Sequence, residues 1–134
     1  MRLHHIAYVT ADLDKKASSL CELFGFRRTG DVVVDEHQGV RILCLDMGQG
    51  HLLELLEPLG PDSPVQRHLD SGGKLYHLCF EVDRLDETLR HIEQTGDARV
   101  VRPPAEAPAF GGRKVAFVVT SDLDLVEFVE AAPE

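Results

Sequence analysis

The 134-residue sequence has no apolar run longer than a strand, no excess of basic residues and no CxxC pair, and each absence excludes a class of protein. A membrane-spanning helix needs about 18 consecutive apolar residues. The opening MRLHHIAYVT also lacks the basic start and apolar core of a signal peptide, so no membrane partner and a cytoplasmic location are expected. Lys and Arg number 14 against 23 Asp and Glu, a net charge of −9 that repels a phosphate backbone, and no nucleic-acid partner is expected. Cys21, Cys44 and Cys79 are odd in number and lie among apolar neighbours, which suits packed, reduced thiols rather than a disulfide framework or a zinc finger. With only 7 prolines, 43% hydrophobic and 28% charged residues, the chain has the composition of one globular domain that buries a core.

What is present is a repeat. HIAYVTADLDKKASSLCELFGF, from His5, is echoed by HLCFEVDRLDETLRHIEQTGD, from His77. In both copies a histidine opens an apolar strand, and Leu-Asp follows as Leu13-Asp14 and Leu85-Asp86. Leu13, Ala17, Leu20, Leu23 and Phe24 then lie at helical spacing in the first copy, and Leu85, Leu89 and Ile92 in the second. Gly25 and Gly96 stop the two helices. Three strands are predicted after each helix: Phe26 to Asp35, Val40 to Met47 and His51 to Pro58, then Ala98 to Arg102, Arg113 to Val119 and Leu123 to Glu130. The expected fold class is α+β, two tandem βαβββ modules forming a curved mixed sheet around a metal-binding cleft. Module 1 is placed at about 1–59, a linker at about 60–73 and module 2 at about 74–134, with Pro103 to Gly112 read as a long loop over the site.

Four polar residues occupy repeated positions. His77 follows His5 by 72 residues, and Glu127 follows Glu54 by 73. A lone strand histidine is ordinarily a hydrogen-bonded core residue, and Glu54 beside Glu57, or Glu127 beside Glu130, could face solvent on an edge strand. The symmetry favours a shared task. A carboxylate between Leu53 and Leu55 is costly to bury unless its charge is paired, and two carboxylates with two imidazoles form a ligand set for a divalent cation. Nitrogen and oxygen donors suit Co, Ni, Zn, Mn or Fe better than the all-oxygen cages of calcium. His4 is expected at the surface or in support of the site, and His51, His68 and His91 at the surface or in packing; Arg27, Arg28, Arg41, Arg113 and Lys114 are read as solvated charges, any of which could bind an anionic ligand.

These residues, with HIAYVTADLD, ELLEPLGPDSP from Glu54, YHLCFEVD around His77 and GGRKVAFV from Gly111 to Val118, resemble the vicinal oxygen chelate superfamily. The similarity is greatest to its methylmalonyl-CoA epimerase branch and covers nearly the whole chain. The resemblance implies metal ligands His5, Glu54, His77 and Glu127, the four that the repeat selects. It implies an isomerase that removes a proton next to a carbonyl, with a small-molecule substrate, an acyl-CoA in that branch, and a homodimer. The branch has a catalytic glutamate in a Glu-Gln/His-Gly-Val motif before its third strand. Here the stretch is Glu36-His37-Gln38-Gly39-Val40, so His37 stands where that glutamate aligns and Glu36 is one residue away. A substitution by His37, a bulge that restores Glu36, and different chemistry all remain open at this point. Glu127 is the second candidate acid or base. A glyoxalase I-type lyase, a specialised-metabolite enzyme and a non-catalytic drug-binding protein are the alternatives on the same scaffold.

Overall fold

The computed structural model describes residues 1–133 and is α+β, with three α-helices and nine strands in both parallel and antiparallel pairs. Its contacts group the chain into two compact units, one of residues 5–76, the other of Met1–His4 together with the chain from His77 onward.

In the unit of residues 5–76, β1 (Arg2–Val9, of which His5 onward belongs here) leads into α1 (Leu13–Phe24), then β2 (Arg27–Arg28), β3 (Val33–Asp35), β4 (Val40–Asp46), β5 (Leu52–Pro58) and α2 (Pro64–Asp70). The strand order is β2-β4-β5-β1, with β3 also on β4. β1 and β5 run parallel, and the pairs with β4 are antiparallel. The single strand predicted over Phe26 to Asp35 is thus two short ones on a common partner. Helix α1 starts where Asp12 accepts the Lys15 amide and ends at Gly25, whose φ of 71° is the left-handed conformation that glycine adopts without strain. Leu13 and Ala17 bury against Leu43, Leu45, Leu53 and Leu55. Leu23 and Phe24, placed on the same stripe by spacing, are exposed. They occupy the last turn of the helix.

The second unit repeats the plan with β6 (Leu75–Val82), α3 (Leu85–Thr95), β7 (Ala98–Glu106), β8 (Lys114–Thr120) and β9 (Leu125–Glu130), in the strand order β6-β9-β8-β7. Here β6 and β9 are parallel, and β8 pairs antiparallel with both β9 and β7. Leu85 and Leu89 pack with Val82, Ala116, Val118 and Phe128 on one face. Cys79, Val115, Phe117 and Val129 line the other.

Two stretches differ from expectation. Gly60 to Gly73, read as a linker, contains α2, which Ser63 caps by accepting the Val65 amide, with Pro64 at the first helical position. The expected loop from Pro103 is strand as far as Glu106. β7 ends the strand order, where Pro103 and Pro104 remove no needed donor, and register shifts between Val100 and Ala105 absorb them. The stretch nevertheless covers a face, because Ala107 is buried and Phe110 partly buried against Cys79, Phe117 and Val129. The three cysteines form no disulfide, and Cys79 is buried. Among the described residues no helix is long and apolar enough to cross a membrane.

Candidate functional site

Strand register brings each histidine to its glutamate. In the first unit Ala7 pairs with Glu54 across the parallel strands β1 and β5, and His5 lies two residues before Ala7. Period-two alternation therefore puts the His5 and Glu54 side chains on one face, opposite the face that Leu53 and Leu55 present to α1. His5 Nε2 stands 3.5 Å from Glu54 Oε1, and the two residues are 1% and 3% exposed.

The second unit repeats this register. Cys79 pairs with Glu127 across β6 and β9, and His77 lies two residues before Cys79. His77 Nε2 is 3.2 Å from Glu127 Oε1, with the residues 2% and 1% exposed. The Phe117 ring, whose residue pairs with Glu127 across β8 and β9, meets the imidazole edge-on at 5.2 Å.

The donor chemistry of each pair fits a metal. Two ligand atoms bound at about 2.1 Å stand about 3.0 Å apart at a right angle and about 3.4 Å apart at a tetrahedral angle; the 3.2 Å of His77–Glu127 falls between these values and the 3.5 Å of His5–Glu54 just beyond them. A neutral imidazole nitrogen and a carboxylate oxygen, buried side by side, are donors for borderline divalent ions. Burying an anionic carboxylate is costly, and a cation offsets that cost.

A third repeated pair fixes the frame. Glu57, three residues after Glu54, accepts the Leu13 amide at 2.7 Å, and Glu130, three after Glu127, accepts the Leu85 amide at 3.0 Å. Neither glutamate is a solvated edge residue. Each ties the start of its unit's helix to the strand that carries the buried glutamate, and the helix N-terminus favours the negative charge. Arg41 bonds Glu57 at 2.7 Å, and Arg113, 72 residues later, donates to the Glu130 carbonyl at 2.8 Å and pairs with Glu81. Arg2 pairs with Glu81 as well. Hydrogen bonds from Arg2 and then Arg113 hold the Glu81 carboxyl below its ordinary range against the opposing effect of burial. Arg41 and Arg113 are therefore scaffold residues, not the solvated charges expected.

Glu36 and His37 lie in the turn between β3 and β4, and both are exposed. Asp35 pairs with Val40 and the Gly39 amide donates to the Glu36 carbonyl, so residues 36–39 close a regular hairpin. No bulge shifts Glu36 into another position. Asp35, 2% exposed, accepts from the Gln38 amide and side chain, each at 3.0 Å, and so pins the turn from below. Glu36, His37 and Gln38 line a cleft of about 410 Å³ with Leu59, Asp62 and Ser63. Sequence reasoning passed over Asp35 because a lone aspartate at a strand end carries no pattern. His4, expected at the surface or in support of the site, is half-buried and packs edge-on against Phe110 at 4.9 Å.

Residues 4–117 match the family model described as the glyoxalase/bleomycin resistance protein/dioxygenase superfamily. Mitochondrial methylmalonyl-CoA epimerase from Homo sapiens is 31% identical over 97% of this chain and 74% of its own length. Methylmalonyl-CoA epimerase from Mycobacterium tuberculosis is 26% identical over 98% of this chain and 89% of that one, with a TM-score of 0.88. Two variants of the Streptomyces coelicolor methylmalonyl-CoA epimerase, altered at a glutamate and at a glutamine seventeen positions apart, have been solved with 2-nitronate-propionyl-CoA. Each is 29% identical over 99% of both chains, with TM-scores of 0.86 and 0.85. With a matching model over most of its length and such relatives, the chain belongs to the glyoxalase/bleomycin resistance protein/dioxygenase superfamily.

Proposed function

We propose that the chain is a divalent-metal-dependent epimerase that moves a proton at the carbon next to a thioester carbonyl, with methylmalonyl-CoA as substrate. The observation that carries this reading is the buried His–Glu pair, made twice by the same strand register. His5, Glu54, His77 and Glu127 are assigned as the ligands of one Co, Ni, Zn, Mn or Fe ion. When bound, that ion supplies Lewis-acid stabilisation of the negative charge that builds as the proton leaves.

Epimerisation is redox-neutral. The C2–H bond breaks toward a base on one face, the electron pair delocalises into the thioester carbonyl, and an acid on the opposite face forms the new C2–H bond. Glu127 is assigned one end of this transfer and the β3–β4 turn, which carries Glu36 and His37, the other. The names of the relatives support the substrate.

The test is proton NMR of methylmalonyl-CoA in D₂O with the metal-loaded protein. Loss of the C2 proton signal, with interconversion of the (2R) and (2S) forms, is expected. An unchanged signal would refute the reading. A glyoxalase I-type isomerase on the same scaffold would instead act on methylglyoxal plus glutathione.

A further inference from the structure

We infer that His4, His5 and Cys79 form a second metal position, one that takes a thiophilic cation such as Cu⁺ or Cd²⁺ and draws His5 away from the four-residue cluster. The soft site stands apart from the function proposed above. The competition for His5 rests on the metal assignment made there.

The first argument is a departure from the repeat. At an offset of 72, Leu3, His5, Ile6 and Tyr8 match Leu75, His77, Leu78 and Phe80. Two positions within this run change chemistry: His4 stands where the second copy has Tyr76, and Cys79 where the first copy has Ala7. The first copy thus offers an additional imidazole without a thiol, and the second a thiol without the additional imidazole. Neither copy alone supplies a soft ligand set.

The second argument is that the fold brings these departures together. His4 and Cys79 belong to the same compact unit, and one ligand atom from each of His4, His5 and Cys79 lies within 4.8 Å of the others. Cys79 is fully buried beside Ala107, Val115, Phe117 and Val129, so packing holds its thiol in place. His4 is half-buried, its ring edge-on to Phe110, and gives the cluster one ligand at the surface. Core packing accounts for a small buried thiol but not for two imidazoles that converge on it.

The third argument is donor chemistry. Two imidazole nitrogens and a sulfur are a softer set than the nitrogens and carboxylate oxygens of the four-residue cluster, and thiolates select Cu⁺ and similar ions. Binding breaks the S–H bond, releases the proton to solvent and forms a metal–sulfur bond, with no change of oxidation state. His5 faces Glu54 through Nε2. A neutral imidazole has one nitrogen lone pair to give, so His5 serves one ion at a time: a borderline ion with Glu54, a soft one with Cys79.

The experiment uses Cd²⁺ as the probe and protein stripped of metal by a chelator, with circular dichroism to confirm the fold. Titration is followed by the ultraviolet absorption of cadmium–thiolate bonds in a Cys21→Ser/Cys44→Ser background, which leaves Cys79 as the one thiol. This background should show the band, as should His77→Ala within it. Cys79→Ala should show none, and His4→Ala should bind about tenfold or more weakly. ¹¹³Cd NMR of the wild type, which needs no substitution, should give a resonance moved downfield by sulfur ligation. Saturating Mn²⁺, a harder ion, should weaken Cd²⁺ binding at this site, and should not do so in His77→Ala. A band absent from the background or present in Cys79→Ala, unchanged affinity in His4→Ala, or a wild-type ¹¹³Cd spectrum without sulfur ligation would overturn the inference. Cd²⁺ binding that is not weakened by Mn²⁺, when electron paramagnetic resonance shows the Mn²⁺ bound, would overturn the competition. Mn²⁺ that does not bind at all would instead overturn the assignment of the four residues and leave the soft site standing.

Discussion

The Glu130 carboxylate accepts the Leu85 amide at 3.0 Å, across 45 residues of chain, and joins the end of β9 to the start of α3. In the first unit Glu57 does the same for Leu13, but there Asp12 also caps the helix from its own side chain. At the corresponding end of α3, Arg84 makes no side-chain capping bond. Glu130→Ala is therefore expected to cost about 1–2 kcal/mol and Asp12→Ala about 0.5–1 kcal/mol. Urea unfolding of the two variants measures the difference. Equal losses would mean that the strand-borne carboxylate contributes nothing beyond an ordinary cap.

Glu81 gives stability a defined dependence on pH. Its carboxyl is held below the ordinary value of 4.5 by Arg2 and Arg113, so the folded state binds its proton less readily than the unfolded chain does. The contribution is fully present above about pH 4.5 and lost as pH falls through the lower folded value. Glu81→Gln should cost on the order of 1 kcal/mol at neutral pH, discounted for the exposure of Arg2, and lessen the decline in stability on acidification. Unfolding curves at several pH values between 7 and about 3 provide the check. Parallel curves for wild type and variant would contradict the assignment.

Leu123 adopts φ of +69° and is 81% exposed, a left-handed backbone that side chains other than glycine resist. The matching turn of the first unit has Gly50 at φ +80°. Leu123→Gly removes no buried contact and relieves the backbone, and is expected to raise stability by about 0.5–1 kcal/mol after the greater freedom of the unfolded chain is counted. A lower melting temperature for this variant would show that the leucine is held by contacts that offset the strain.

Gly73 is a glycine for a different reason. A Cβ there would lie 2.4 Å from His68 Nε2, which is itself 2.7 Å from the Leu75 carbonyl. Gly73→Ala must displace the ring and lose that hydrogen bond, at a cost of about 1–3 kcal/mol. Adding His68→Ala should make the alanine nearly harmless, a coupling that a double-mutant cycle reads directly. Additive losses would place the damage in the backbone instead.

The repeat made the frame legible. The paired offsets of His5 with His77, and of Glu54 with Glu127, locate two strands in each unit, and alternation puts His77 on the face of Cys79 and Glu54 on the face of Leu52 and Leu56. The parallel register that brings each histidine to its glutamate, within 3.5 and 3.2 Å, depends on strand pairing across about fifty residues and is invisible to a local pattern. Arg41 and Arg113 look like solvated charges in the sequence for the same reason, since their partners Glu57 and Glu81 are remote from them along the chain. Composition also misled. Proline marked Pro103 to Gly112 as loop, yet an edge strand accommodates two prolines, and the glycines and prolines of 60–73 flank a short helix.

The central claim is that the two buried pairs bind a metal ion, and elemental analysis of the purified protein with His77→Ala and Glu127→Ala tests it most directly. The account predicts close to one equivalent of a divalent transition metal in the wild type and its loss in both variants, while their circular dichroism shows them folded. A wild type free of metal after incubation with Co²⁺, Ni²⁺, Mn²⁺ and Zn²⁺, or folded variants that keep the ion, would contradict it.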